Sequence, residues 1–353
     1  MMKRIGWGLA AVCLLTAAVA GWFYLGRPES LPPEGGEKTL KVGLSFDSIV
    51  VERWKRDMET FVAAADKEGI EVDVQIANDD LAEQKKQIQY LIDKNVQVLV
   101  ILPKQKDAYT ELIARAKRKG IYVIAYDRLI LGADYDAYIS FDSVGVGEQI
   151  AGRLVRQLEQ DGKRSARLMI INGDPDDNNS KLFNEGFYNV LDRVGENLAL
   201  EIVSEEWAPG WREAAAFDAV ERVLDSGVVP DGIIAANDVL ATAAIQALTE
   251  RQLAGKVLVV SEDAELSACQ RIVEGTQLAT VYKPYNTMAR QAVAMCLELI
   301  QGTFETSDTI SNGGYEIPLV EIPCYLVDRS TIDEIIIDSG FHSRDDVYRN
   351  VKE

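Results

Sequence analysis

The sequence predicts an α/β protein of two similar domains, each a doubly wound parallel sheet. Short apolar runs alternate with longer segments of helical periodicity along most of the chain. Single helices between strands imply parallel pairing with right-handed crossovers. Two such series follow one another, and 353 residues suit two cores better than one. Several of the apolar runs also end in an acid, an amide or a base, where open parallel sheets gather their ligands.

In chain order, strands are predicted over 40–46, 72–77 and 96–102, the last closed by Pro103. Helices fall between them at 52–68 and 81–94, and a third at 107–119 is stopped by Gly120. Val123-Ile124-Ala125-Tyr126 reads as a strand covered on both faces, and it runs straight into Asp127 and Arg128. Strand 138–141 leads through Asp142 and Ser143 into helix 144–160. The second series has strands at 168–171, 201–203, 232–236, 257–261 and 278–281, with helices at 182–194, 212–225, 240–251 and 266–274. Helix 285–301 and the residues after it either extend the second domain or return to the first.

Composition narrows the function. A formal charge of -19 argues against nucleic acid, whose phosphates need basic patches. His342 is the only histidine, which leaves almost no material for a Ser-His-Asp triad or a histidine-rich metal centre. Cys13, Cys269, Cys296 and Cys324 show no close-paired spacing; free thiols are expected for the last three, with one disulfide open. Lys3 and Arg4 precede an uncharged segment at 5–25, which marks an exported chain. Cleavage after Ala18-Val19-Ala20 would release a soluble protein. The apolar run continues past it to a length near the ~20 residues that span a bilayer, so retention as a membrane anchor is the favoured expectation. A linker rich in Pro, Gly and Glu follows at 28–38.

Beyond the predicted strands stand Asp47, Asp127 with Arg128, Asp142, the run Asp174 to Asn179, Asn237 with Asp238, Glu262 with Asp263, and Lys283. Asp142, Asp174 and Asp238 read first as caps or structural groups. Together, however, these residues put carboxylates, amides and isolated bases on one edge of both domains. No glycine-rich phosphate loop lies among the turns, so a nucleotide is not indicated, and no cofactor is expected. Planar hydrogen-bonding groups suit a small neutral polyol. Trp54 in a helix reads as core when taken alone, and Trp207 is as readily structural as functional. Trp211, after a turn, reads as a platform for the C–H face of a sugar.

The chain resembles the bacterial D-xylose-binding proteins of the ribose/galactose periplasmic class. The matching stretches include Val51-Glu52-Arg53-Trp54, Ala125-Tyr126-Asp127-Arg128, Asp176-Asp177-Asn178-Asn179-Ser180-Lys181-Leu182-Phe183, Trp207-Ala208-Pro209-Gly210-Trp211, Ala236-Asn237-Asp238, Glu262-Asp263-Ala264, Val281-Tyr282-Lys283-Pro284 and Ser339-Gly340-Phe341-His342. They run in order through nearly the whole exported part. The resemblance implies two lobes joined by a three-stranded hinge, the type I periplasmic-binding-protein fold, with 39–143 plus 284–316 in one lobe and 144–283 plus 317–353 in the other. It implies a pentose in the cleft, held by Arg53, Trp54, Asp127, Arg128, Asp177, Asn179, Trp211, Asn237, Asp263 and Lys283, with the two tryptophans stacking from opposite lobes. The implied partner is an ABC transporter permease. A retained anchor would instead suit a xylose receptor signalling to a two-component sensor histidine kinase. A sugar-cleaving enzyme would use paired carboxylates, but every carboxylate here has an amide or base beside it, and none is marked for a raised pKa. A repressor needs a DNA-binding helix-turn-helix where this chain has the apolar segment. The tail after His342 reads as solvated.

Overall fold

The computed structural model describes residues 40–50, 52–195 and 197–351. The first series runs β1 (Lys41–Phe46), α1 (Glu52–Lys67), β2 (Glu71–Ile76), α2 (Leu81–Asp93), β3 (Val98–Leu102), α3 (Thr110–Arg118), β4 (Tyr122–Tyr126) and β5 (Ala137–Phe141). The second runs α4 (Ser143–Gln160), β6 (Ser165–Asn172), α5 (Asn178–Leu191), β7 (Ala199–Trp207), α6 (Glu213–Asp225), β8 (Gly232–Ala235), α7 (Asp238–Glu250), β9 (Leu258–Val260), α8 (Leu266–Glu274) and β10 (Ala279–Tyr282). The chain ends with α9 (Tyr285–Gln301), β11 (Thr309–Asn312), β12 (Tyr315–Ile322), β13 (Tyr325–Asp328) and α10 (Arg344–Val347).

The strands form two open sheets, ordered β11-β12-β5-β4-β3-β1-β2 and β13-β10-β9-β8-β6-β7. Read from β2 and from β7, the two follow the same plan. Strand β3, Val-Leu-Val-Ile-Leu, is buried throughout. Its alternate residues feed two cores: Val98, Val100 and Leu102 join the side chains of α1 and α9, while Leu99 and Ile101 join those of α2 and α3. That double coverage is why a central strand carries no polar alternation.

Both sheets are mixed. Strand β12 pairs parallel with β5, whereas β13 pairs antiparallel with β10 and β11 antiparallel with β12. The reversal at β13 has a simple cause. Strand β12 runs toward the cleft, so the chain crosses there and enters the second sheet from its carboxyl edge.

This pairing corrects the expected boundary at 316/317. Leu319–Ile322 pair with Tyr138–Phe141 of the first sheet, so the chain leaves that sheet only after Ile322. Helix α9 packs against α1, and its Met288, Ala292 and Cys296 belong to the first lobe's core. The tail also departs from its solvated reading. Val347 of α10 is buried with Cys269, Ile272 and Ile336 in a small core of the second lobe.

Cys269, Cys296 and Cys324 are free thiols. Among the described residues no helix is long and apolar enough to cross a membrane. The apolar segment 5–25, Cys13 and the linker 28–38 lie outside them.

Candidate ligand-binding site

All ten residues expected in the cleft border one cavity between the carboxyl edges of the two sheets, together with Phe183 and Glu262. Trp207 does not border it. The free volume at its centre is about 30 Å³, room for on the order of two waters as the side chains stand. It shares Trp54, Arg128, Asp177 and Trp211 with a wider chamber of about 470 Å³, a volume typical of small-molecule sites.

The first lobe supplies the arginines. Arg53 and Trp54 open α1. Arg53 pairs with Asp127, lies 3.4 Å from Asp57 one helical turn on, and reaches to 3.5 Å from Asp263 of the other lobe. Its guanidinium carbon sits 4.1 Å from the centre of the Trp54 ring. Arg128, just past β4, lies 2.5 Å from Asp47 and 2.6 Å from Asp177 across the cleft. Asp127 is also tied to the second lobe, accepting from Asn179 Nδ2 at 2.9 Å. Its own carbonyl accepts from Tyr138 and Ser140.

On the second lobe several residues carry two duties. Asp177 accepts from Asn179 N and caps α5, which starts at Asn178 rather than at the predicted 182, so Asn179 lies in the first helical turn. Asn237 caps α7 by accepting from Leu240 N. Asp142, Asp174 and Asp238 are structural, as their positions suggested. Asp142 caps α4. Asp174 accepts from Asp176 N and Gly210 N, holding the Trp211 loop. Asp238 is fully buried among Ser261, Gln277 and Thr280.

Three residues of the cleft hold strained backbone. Asp127, Trp211 and Asp263 have φ of 60°, 56° and 104°, in the left-handed half of conformational space. Each such residue costs of order 1–3 kcal/mol, held in place by its surroundings. The Trp211 ring lies against Gly173, where an added Cβ would stand 2.1 Å from it, so only glycine leaves room for the indole. Among the described residues, Asn179 Oδ1, an acceptor, and Trp211 Nε1, a donor, are buried at the cleft with neither a hydrogen-bond nor an ion-pair partner.

Three buried cations, Arg53, Arg128 and Lys283, face six buried carboxyl groups, Asp47, Asp57, Asp127, Asp177, Glu262 and Asp263. Burial alone would raise Asp263, but Lys283 and then Arg53 outweigh it and hold the group at about 2. Burial raises Asp57 to about 7 against the pull of Arg53 and the Tyr126 hydroxyl, which donates to it at 2.5 Å. Burial also pushes Glu262 well above its ordinary value. Those two groups correct the expectation that no carboxyl would be raised; their burial arises from tertiary packing. Asp57 and Glu262 were also missed as members of the site. Asp57 sits one helical turn from Arg53, the spacing of an ion pair, and that was the available signal.

The raised carboxyls set a pH dependence of stability. An acid that holds its proton more tightly when folded stabilises the fold at low pH, and that contribution is lost as pH rises through the folded value. With Asp57 at about 7 and Asp238 at about 6, both from an ordinary 3.8, Tm is expected to fall between pH 4.5 and pH 7.5. Scanning calorimetry reads it. The fall should shrink in Asp57→Asn, and a Tm that rises over this interval contradicts the assignment.

Two sheets of one plan, hinged by three crossings with polar groups of both lobes turned into the cleft, define a two-lobed solute-binding protein. Residues 42–304 match the periplasmic binding protein domain family. The chain belongs to that family, whose members bind solutes and are not enzymes. It is 38% identical over 313 residues to the D-xylose-binding periplasmic protein of Haemophilus influenzae, covering 88% of this chain and 93% of that one. It is 36% identical over 312 residues to the protein of the same name from Escherichia coli, with the same coverage of 88% and 93%. Among solved structures, a solute-binding protein from Chloroflexus aurantiacus in complex with D-glucose superimposes with a TM-score of 0.79 at 28% identity, covering 87% of this chain and 98% of that one. An ABC transporter solute-binding protein from Clostridium phytofermentans with bound β-D-glucose gives 0.78 at 28% identity, covering 87% and 99%.

Proposed function

We propose that this protein captures a pentose, D-xylose, on the outer side of the cell membrane and delivers it to an ABC sugar transporter. The observation that carries the reading is the convergence of Arg53, Asp127, Arg128, Asp177, Asn179, Asn237, Asp263 and Lys283, from both lobes, on one buried cavity flanked by Trp54 and Trp211. Charged and amide groups in fixed planes recognise hydroxyls, and indole faces take the sugar's C–H face. The sugar enters by way of the wider chamber and displaces the guanidinium–carboxylate contacts that span the cleft. Ligand held from both sides binds the closed arrangement more tightly than the open one, and that difference drives closure. The xylose-binding relatives support the pentose, and the ABC transporter solute-binding neighbour supports delivery to a permease.

A thermal-shift panel of pentoses and hexoses tests the reading, since a ligand at one hundred times its Kd adds about 2.7 kcal/mol to the folded state. D-xylose should give the largest rise in Tm. A larger rise with D-glucose, or none with any sugar, sinks the pentose assignment.

Asn237 allows a finer test. Asn237→Ala removes a helix cap worth about 1 kcal/mol along with the cleft amide. Asn237→Ser keeps a capping oxygen and loses only the amide reach. Its Tm should stay within roughly 2 °C of the parent's, while D-xylose affinity falls about tenfold, as for the loss of one net hydrogen bond. Parental affinity in Asn237→Ser would leave the residue as a cap alone.

A further inference from the structure

Glu262 borders the cleft cavity and is only 2% exposed, yet neither motif nor periodicity singles it out from Asp263 beside it. Its Oε2 lies 2.6 Å from Lys283 Nζ, and the same ammonium stands 3.2 Å from Asp263 Oδ1. Among the described residues these two oxygens have no partner beyond their ion pairs with that ammonium and, for Asp263, with Arg53.

We propose that Glu262 is a further ligand-binding residue of this cleft, that it meets the sugar as a neutral carboxyl group, and that its ionisation weakens binding as pH rises. The proposal rests on the sugar-binding reading above and adds a residue and a control to it.

The charge inventory of the cleft favours a proton on Glu262. Three cations cannot neutralise six buried carboxylates, and the surplus negative charge is relieved by retained protons. Asp57 takes one such proton but lies behind Arg53, off the cavity wall. Glu262 is on the wall, as is Asp177, which burial also raises but whose charge Arg128 meets at 2.6 Å. The groups facing Glu262 are Asp263 from its own loop, Lys283 beyond β10, Arg53 from α1 and Cys324 from the crossing between β12 and β13. Burial and then Asp263 favour its neutral form over the opposing pull of Lys283 and Arg53. Asp263, held low by those cations, is the partner that stays ionised. In this form Glu262 behaves as an amide would, presenting one donor and one acceptor. Once ionised it repels Asp263, claims Lys283 for itself and offers the sugar no donor.

Titration calorimetry on the full-length protein, E262Q and E262A, with D-xylose from about pH 5 to about pH 9, tests this. The parent's affinity should fall by about tenfold or more toward the alkaline end, a tenfold loss per pH unit being the limit for one required proton. E262Q, a permanent neutral donor and acceptor, should vary by less than about threefold over the range. E262A should bind at least about tenfold more weakly than E262Q at every pH, the loss expected for one net hydrogen bond. A decline in E262Q equal to the parent's, or E262A binding as tightly as E262Q, overturns the proposal. If the panel shows a hexose to be the tightest ligand, the pentose reading fails by itself. The same three proteins are then titrated with that hexose, so the two failures remain separate.

Discussion

Asp127→Asn is expected to abolish measurable D-xylose binding, with an affinity loss of about a hundredfold or more. Asp127 joins the lobes directly, pairing with Arg53 on its own side and accepting from Asn179 on the other. Its carboxylate is also the group placed to accept charged hydrogen bonds from the ligand hydroxyls that displace those partners. Hydrogen bonds to a charged group are worth roughly 1.5–3 kcal/mol each, so losing one or two gives the stated range. Asparagine keeps the volume and tolerates the φ of 60°, so the strained turn survives. Arg53 still has Asp57 and Asp263 within ion-pair distance, so Tm should drop by only a few degrees, roughly. Calorimetric titration beside a thermal melt reads both quantities. An affinity within threefold of the parent's would place the sugar elsewhere.

Trp211→Ala carries the second large effect. The indole borders both the central cavity and the wider chamber, and its loop is held by Asp174 on Gly210 N. Removing a ring that covers an apolar sugar face should cost roughly 1.5–3 kcal/mol, or about tenfold to a hundredfold in affinity. It should also reduce the ligand-dependent compaction seen in small-angle scattering, because a contact from the second lobe is lost. Trp211→Phe should recover part of both. Gly173→Ala provides an independent route, since the new methyl must push the ring aside while Trp211 itself remains. Parental binding in both Trp211→Ala and Gly173→Ala would leave the indole as loop packing.

The central strands were legible because burial on both faces writes itself into sequence as an unbroken apolar run, as in Val98–Leu102. The edge strands were not. Strand β12 mixes exposed, half-buried and buried positions without strict alternation, and β11 and β13 are only four residues each. Their places depend on which sheet offers an open edge. The boundary error at 317 followed from that, and the reading of the tail as solvated missed Val347, whose burial depends on the distant helix α8.

By itself the sequence determined the two sheets' repeated plan and brought eight of the ten cleft residues to strand-end turns, whereas Arg53 and Trp54, on α1, came with the family resemblance. Strand-end placement is a local property: a strand that stops at the sheet's carboxyl edge delivers the next residue to the cleft. Tertiary structure alone decided how those residues act on one another. It set Arg128 between Asp47 and Asp177 of opposite lobes, put the Trp211 ring over Gly173, and buried Asp57 behind Arg53. It also turned Glu262 as well as Asp263 toward Lys283. Protonation of these groups follows from burial and from charges far apart in the chain, and neither is written in the spacing of residues along it.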